Sequence, residues 1–189
     1  MALTLSKIRI SKPQFAGKEI PYKVGRVLTI DPGLGGTGWA SWEASSWEKL
    51  CKPVASGAIE VASCDLKRDW WWRMDWLCDQ MMGVVFQEKT NAYFIEQPQY
   101  MPGGVGITAA ERGDLIKLAM LAGGICSRIS YNHASTPWFP VPVSEWKGQL
   151  AKDICADRAS RKLNMSFKGK TTHEADAIAL GLYCKGFFG

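Results

Sequence analysis

Two stretches of this chain share one grammar. "VLTID" (27–31) and "AYFIE" (92–96) are apolar runs that end on an acid, and a proline follows each acid within two residues. Short apolar runs bounded by such breakers read as buried strands. If the two strands are parallel neighbours, Asp31 and Glu96 both stand at the carboxyl end of the sheet, where open α/β sheets place their sites. A carboxylate there is costly to desolvate, and two side by side repel unless a cation lies between them. Each acid alone also fits a turn-forming or capping role, but that role must then be invoked twice, at equivalent places.

The first run continues as "PGLGGTGWASW" (32–42). Three readings compete: a plain hairpin, a loop that cradles phosphate, or one arm of a metal site. No lysine follows the glycines as a phosphate loop requires. The geometric reading is a tight turn into an antiparallel partner strand, which leaves Asp31 exposed at the sheet end and lets a DNA backbone approach closely.

Strands are expected at 24–31, 37–43, 55–62 and 92–98, with a short proline-cut strand within 138–148. Helices are expected at 65–89, at 114–130 (weakened by Gly123 and Gly124) and from Thr172 onward. Residues 99–113 read as a glycine-rich, mobile loop, and 1–23 as a leader before a single domain over 24–189. The order β-β-β-α-β-α-β-α predicts a mixed α/β sheet with helices on its faces. At 189 residues and 47% hydrophobic content, one domain with a sizeable core is expected and disorder is not. No apolar run approaches the roughly 20 residues that span a bilayer, and the N-terminus lacks the long apolar segment of a secretory signal. The six cysteines are scattered without a C-x-x-C pair, so they read as reduced thiols of an intracellular protein.

The third chemical element is "KGKTTHEADAIALGLYCKG" (168–186). Thr171 and Glu174 form a capping box at a helix start. His173 and Asp176 are three apart, about 60° around the helix, and flank an apolar face of Ala175, Ile178, Ala179, Leu182 and Tyr183. They can therefore turn toward the sheet. Three carboxylates and one imidazole make an oxygen-rich set suited to Mg²⁺, with Mn²⁺ able to substitute. Two such ions about 4 Å apart can clamp a phosphodiester for attack by water. A capped amphipathic helix with incidental polar residues is the bland alternative.

These residues match a known pattern. "TIDPGLGGTGWA", "FIEQPQYM", "VPVSEWKGQLAK" and "HEADAIALGLY" resemble, in this order, four motifs of the RuvC-type Holliday junction resolvases. The resemblance covers about residues 24–186. It implies a ribonuclease H-like fold with a mixed five-stranded sheet flanked by helices, a homodimer, and Mg²⁺-dependent nicking of four-way DNA junctions. It also implies that Asp31, Glu96, His173 and Asp176 are the catalytic, metal-binding set, and that Lys147 serves DNA. The aromatic after the second acid stands one residue late, at Tyr100, and the following loop is unusually rich in glycine.

Net charge is +5, compatible with a polyanionic partner. Residues 1–26 hold Lys7, Arg9, Lys12, Lys18, Lys23 and Arg26 against only Glu19, read as a solvated arm or as a basic arm touching phosphates. Lys147, Lys152, Arg158, Arg161, Lys162, Lys168 and Lys170 form a basic belt before the last helix, read as DNA contacts or as a solvated face. Tyr100 is placed to stack on an unpaired base. Trp70, Trp71, Trp72 and Trp76 are read as core or dimer packing ahead of DNA stacking, and His133 as a loop histidine. The same acid layout would serve flaps, forks or RNA–DNA hybrids. A non-catalytic junction binder is a further alternative. So is an actin-like-fold phosphotransferase, for which the chain lacks a second lobe. The expected setting is the cytoplasm of a bacterial or phage-infected cell.

Overall fold

A computed structural model describes residue 20 and residues 25–100, 111–133, 136–148 and 150–188. Most of the leader and of the glycine-rich loop (101–110) lie outside the described residues.

The strands are β1 (Arg26–Asp31), β2 (Gly36–Glu43), β3 (Ala55–Glu60), β4 (Thr90–Gln97) and β5 (Trp138–Pro142). They form one sheet in the order β3-β2-β1-β4-β5. β1 pairs antiparallel with β2 and parallel with β4; β2–β3 is antiparallel and β4–β5 parallel. This is the mixed five-stranded sheet that the order of elements predicts. The helices are α1 (Trp70–Gln87), α2 (Asp114–Asn132), a single turn α3 (Val143–Trp146), α4 (Lys152–Leu163) and α5 (Thr172–Cys184). Among the described residues, none is long and apolar enough to cross a membrane. The six cysteines are all free thiols.

Two cores cover the two faces of the sheet. Alternation along β1 sends Val27 to one face and Leu28 and Ile30 to the other. In β4, Ala92 and Phe94 alternate with Tyr93 and Ile95 in the same way. The first face packs on α4 and α5, the second on α1 and α2. Trp42 and Phe94 are fully buried on the α5 face, each contributing about 1.5–3 kcal/mol of burial. Trp42 reaches its place because Gly181 of α5 has no side chain: a Cβ there would stand 2.3 Å from the indole.

Thr29 is fully buried in the middle of β1. Its hydroxyl donates to the Ala177 carbonyl at 2.8 Å and accepts the Trp42 indole N–H at 3.0 Å. That pair of bonds pins α5 across the strand while satisfying every group involved.

Several boundaries differ from expectation. The long helix starts at Trp70 because Asp69 caps it, accepting from the Trp71 N–H at 2.7 Å, and a single 3₁₀ turn precedes it. Gly123 and Gly124 do not interrupt α2; Gly124 lies against α1, where a Cβ would come within 3.0 Å of the Cys78 sulfur. Arg128 of α2 forks onto Asp75 and Asp79 of α1. The helix α4 falls in the stretch read as a basic belt.

Candidate active site

The alternation that sorts the cores also aims the acids. Asp31 continues the Val27–Thr29 phase and Glu96 the Ala92–Phe94 phase, so both leave the sheet on the α5 face. Ile30 is the rung partner of Ile95 in the parallel ladder, which sets Asp31 and Glu96 on neighbouring strands one residue further along. The first turns of α5 meet them there. His173 Nδ1 lies 2.6 Å from Asp31 Oδ2. Asp176 is 1% exposed and Asp31 4%, so Asp31 is not exposed at the sheet end as the glycine loop suggested.

The glycines explain that burial. Gly38 is the rung partner of Asp31 in the β1–β2 ladder. A Cβ on Gly38 would lie 2.0 Å from the His173 carbonyl oxygen, and one on Gly33 would lie 2.3 Å from the His173 ring. The clearance that the sequence suggested for a DNA backbone is taken up at these two positions by the start of α5.

α5 begins as the capping motif predicts, with the Thr171 hydroxyl accepting from the Glu174 N–H at 3.1 Å. The Glu174 carboxylate, however, is buried against β3, where it accepts from Ser56 at 2.7 Å and pairs with Lys170. Lys170 is thereby engaged with protein groups, within the span expected to contact DNA.

The segment after β5 closes the site. Ser144 donates to the Gln99 side chain from its backbone N–H (3.2 Å) and its hydroxyl (2.5 Å), and Tyr183 donates to Glu145 at 2.8 Å. These bonds hold α3 over the strand ends. Trp146 then donates its indole N–H to Glu96 Oε2 at 3.1 Å. Lys147 places its ammonium 2.6 Å from Asp176 Oδ2, with Lys152 further out at 3.8 Å. Asp176 Oδ1 is buried without a hydrogen-bond partner.

The electrostatics follow from crowding acids into a dry corner. Burial, then the charge of Asp31, pushes the Glu96 carboxyl well above its ordinary range, with Lys147 opposing. Burial and then Asp31 also raise Asp176, against the pull of Lys147 and Lys152. Burial alone would lower Lys147; the charges of Asp176, Glu96 and Asp31 outweigh it and raise it. The corner is short of positive charge.

The structure therefore brings together Asp31, Glu96, His173, Asp176, Lys147 and Lys152. It does not bring in the rest of the basic belt. Arg158 lies over the Phe188 ring at 5.5 Å, Arg161 pairs with Asp157, and Lys168 is exposed in the turn before α5. Tyr100 is 54% exposed, four residues past Glu96. Trp70 and Trp76 pack against the α1 side of the core, and Trp72 stacks on Trp76 with Arg68 above it. His133 caps the end of α2. Sequence reasoning missed Trp146, whose one available signal was its place beside Lys147 in "SEWKG". It also missed Thr29 and Gln99, which carry no signal of their own.

The architecture has known counterparts. Thermus thermophilus RuvC in complex with Holliday junction substrate superposes with a TM-score of 0.60 at 18% identity, over 84% of this chain and 91% of that one. A second Thermus thermophilus RuvC structure gives 0.57 at 16% identity, over 86% and 93%. The fold is that of RuvC. It is the ribonuclease H-like α/β fold, with a mixed five-stranded sheet flanked by helices. No protein-family profile and no curated protein matches the sequence.

The chemistry of the donor set fits a hard cation: carboxylate oxygens dominate, one of them is buried and unpartnered, and burial, then the charge of Asp31, raises Glu96 and Asp176. As the side chains stand, no three His, Cys, Asp or Glu groups among the described residues are set to hold one ion, and the Lys147 ammonium stands among the carboxylates. Metal ligation would require Lys147 to swing off Asp176.

Proposed function

We propose that this chain is a metal-dependent, structure-selective endodeoxyribonuclease that nicks four-way DNA junctions. The observation that carries the reading is the convergence of Asp31, Glu96, His173 and Asp176, from two parallel strand ends and a helix start, on the face where strand alternation aims both acids. The RuvC fold supports the choice of substrate, since one of the similar structures is a complex with a Holliday junction.

In this reading the four residues hold Mg²⁺, or Mn²⁺ in its place, which supplies water activation and charge stabilisation at the leaving 3′ oxygen. The remaining roles belong to the chain. Trp146 fixes the Glu96 carboxylate by its indole N–H, and His173 fixes Asp31. Lys147 and Lys152, released from Asp176, face the phosphodiester as cations. Tyr100 stacks on an unpaired base beside the site. Arg158, Arg161 and Lys168 extend the contact along the backbone. A homodimer gives the two symmetric nicks that resolve a junction, and the protein works inside the cell, where its thiols stay reduced.

The test is a denaturing gel of an end-labelled synthetic junction with Mg²⁺, run beside linear duplex, flap and RNA–DNA hybrid. Paired nicks in the junction and none in the duplex are expected. Asp31→Asn and Asp176→Asn should bind the junction and fail to cut it. Full activity in either purified variant overturns the site, and preferential cutting of the flap or hybrid reassigns the substrate.

A further inference from the structure

Lys185 follows the last turn of α5 and is only 5% exposed. A buried lysine ordinarily has a carboxylate beside it. Among the described residues this one has none. Its ammonium donates to the Ser46 carbonyl at 2.9 Å and lies over the indoles of Trp42 and Trp47, 5.3 Å and 4.9 Å from the ring centres. Its remaining polar neighbour is a thiol: Nζ stands 3.6 Å from Cys51 Sγ. Cys51 also donates to the Ser46 carbonyl, at 3.8 Å. One carbonyl thus holds a sulfur and a nitrogen side by side. Cys51 is half-buried, whereas Lys185 is almost wholly shielded from solvent.

We propose that Cys51 and Lys185 form a redox modification site, in which oxidation of the thiol by a peroxide leads to a covalent sulfur–nitrogen link between the two side chains. In the first step the Cys51 sulfur attacks hydrogen peroxide. The S–O bond forms, the O–O bond breaks, and the departing hydroxide takes the thiol proton as water; sulfur is oxidised by two electrons and the peroxide is reduced. In the second step the unprotonated Lys185 amine attacks the sulfenic sulfur. The S–N bond forms, the S–O bond breaks, and hydroxide leaves with an amine proton as water. Two hydrogens are lost from the protein overall. Burial lowers the pKa of Lys185, with Cys51 opposing, which makes the free amine more accessible than on a surface lysine. The link ties the connection between β2 and β3 to the C-terminal end of α5, the helix whose other end carries His173 and Asp176. Added thiol reduces it and restores both side chains.

The full-length chain, reduced and then treated with hydrogen peroxide, is digested and read by mass spectrometry. The expected product is a Cys51 peptide joined to a Lys185 peptide, lighter by two hydrogens than their sum and separated again by dithiothreitol. Dimedone, which traps sulfenic acid, should label Cys51 weakly in the wild type and several-fold more strongly in Lys185→Arg, which keeps the charge without the amine nucleophile. Exposed Cys64 provides the comparison for a thiol with no such neighbour. Absence of the joined peptides overturns the proposal, whether Cys51 stays reduced, proceeds to sulfinic acid or forms a disulfide. The wild-type chain alone decides the matter should Lys185→Arg not fold.

Discussion

Replacing Gly38 by alanine adds one methyl group at the tightest point between the sheet and α5. The new Cβ would lie 2.0 Å from the His173 carbonyl oxygen, 2.1 Å from its carbon and 2.6 Å from the Glu174 nitrogen. All three are backbone atoms, so no side chain can rotate aside. Restoring ordinary contact, which begins at 3.4 Å, requires the start of α5 to withdraw by about 1.4 Å. The 2.6 Å contact between His173 and Asp31 does not survive that movement. Overpacking of this kind costs about 1–3 kcal/mol, and about 2–4 °C of Tm is lost per kcal/mol in a chain of this size. Displacing two site residues by more than an ångström should slow nicking by about 100-fold or more. Junction binding, which the proposed function assigns to the surface cations, should hold. Gly35→Ala is the matched control, since its Cβ would meet nothing nearer than 4.0 Å. Thermal melts and single-turnover nicking on a denaturing gel measure both effects. A Gly38→Ala protein with wild-type Tm and wild-type nicking would refute the claim that this glycine seats the helix. Equal damage from Gly35→Ala would refute the steric cause.

Other expectations follow from the same corner. Because the folded-state pKa of Glu96 is raised, its stabilising share is complete below the ordinary carboxylate range, about pH 4, and is lost as pH rises through the folded value. Glu96→Gln should therefore raise the metal-free Tm at pH 8 and flatten the decline between pH 4 and 8, read by melts in EDTA; an unchanged pH profile would count against the crowding of acids. Lys147→Met strands a buried Asp176 and should cost about 3 kcal/mol or more by urea melts, with much of the loss recovered when Asp176→Asn is added; additive losses would show that the pair is not coupled. Gly181→Ala drives a Cβ to 2.3 Å from the Trp42 indole and should lower stability by about 1–3 kcal/mol, visible in melts and in the near-ultraviolet circular dichroism of the tryptophans.

The parts of the site that were legible in the sequence are those carried by local periodicity. Alternation in "VLTID" and "AYFIE" is enough to place both acids on one face once the strands are neighbours, and the Thr171 cap announces α5. α4 was not legible as a helix, although Cys155, Ala159 and Leu163 mark its buried stripe at intervals of four. Two of those three residues are small, and seven charged or polar neighbours drown the signal. Glycine has no side chain, so its sequence letter does not reveal which neighbour it makes room for. Gly33 reads as part of a tight turn and Gly38 as part of a strand, both as clearance for a DNA backbone, until His173, some 140 positions later, is found lying on them. The same holds for Trp146, whose partner is 50 residues upstream.

The alternation that aims the acids has a consequence for how this chain can vary. A substitution inside β1 or β4 changes one contact and leaves the phase of the strand intact. A deletion or insertion of one residue reverses the facing of everything beyond it, turning Asp31 or Glu96 toward α1 and α2. The letters between Arg26 and Asp31 are therefore freer to change than their number. At 16–18% identity this chain shares the fold of two RuvC structures, and its two carboxylates keep to one corner only while change proceeds by replacement within the strands and length changes stay in the connections.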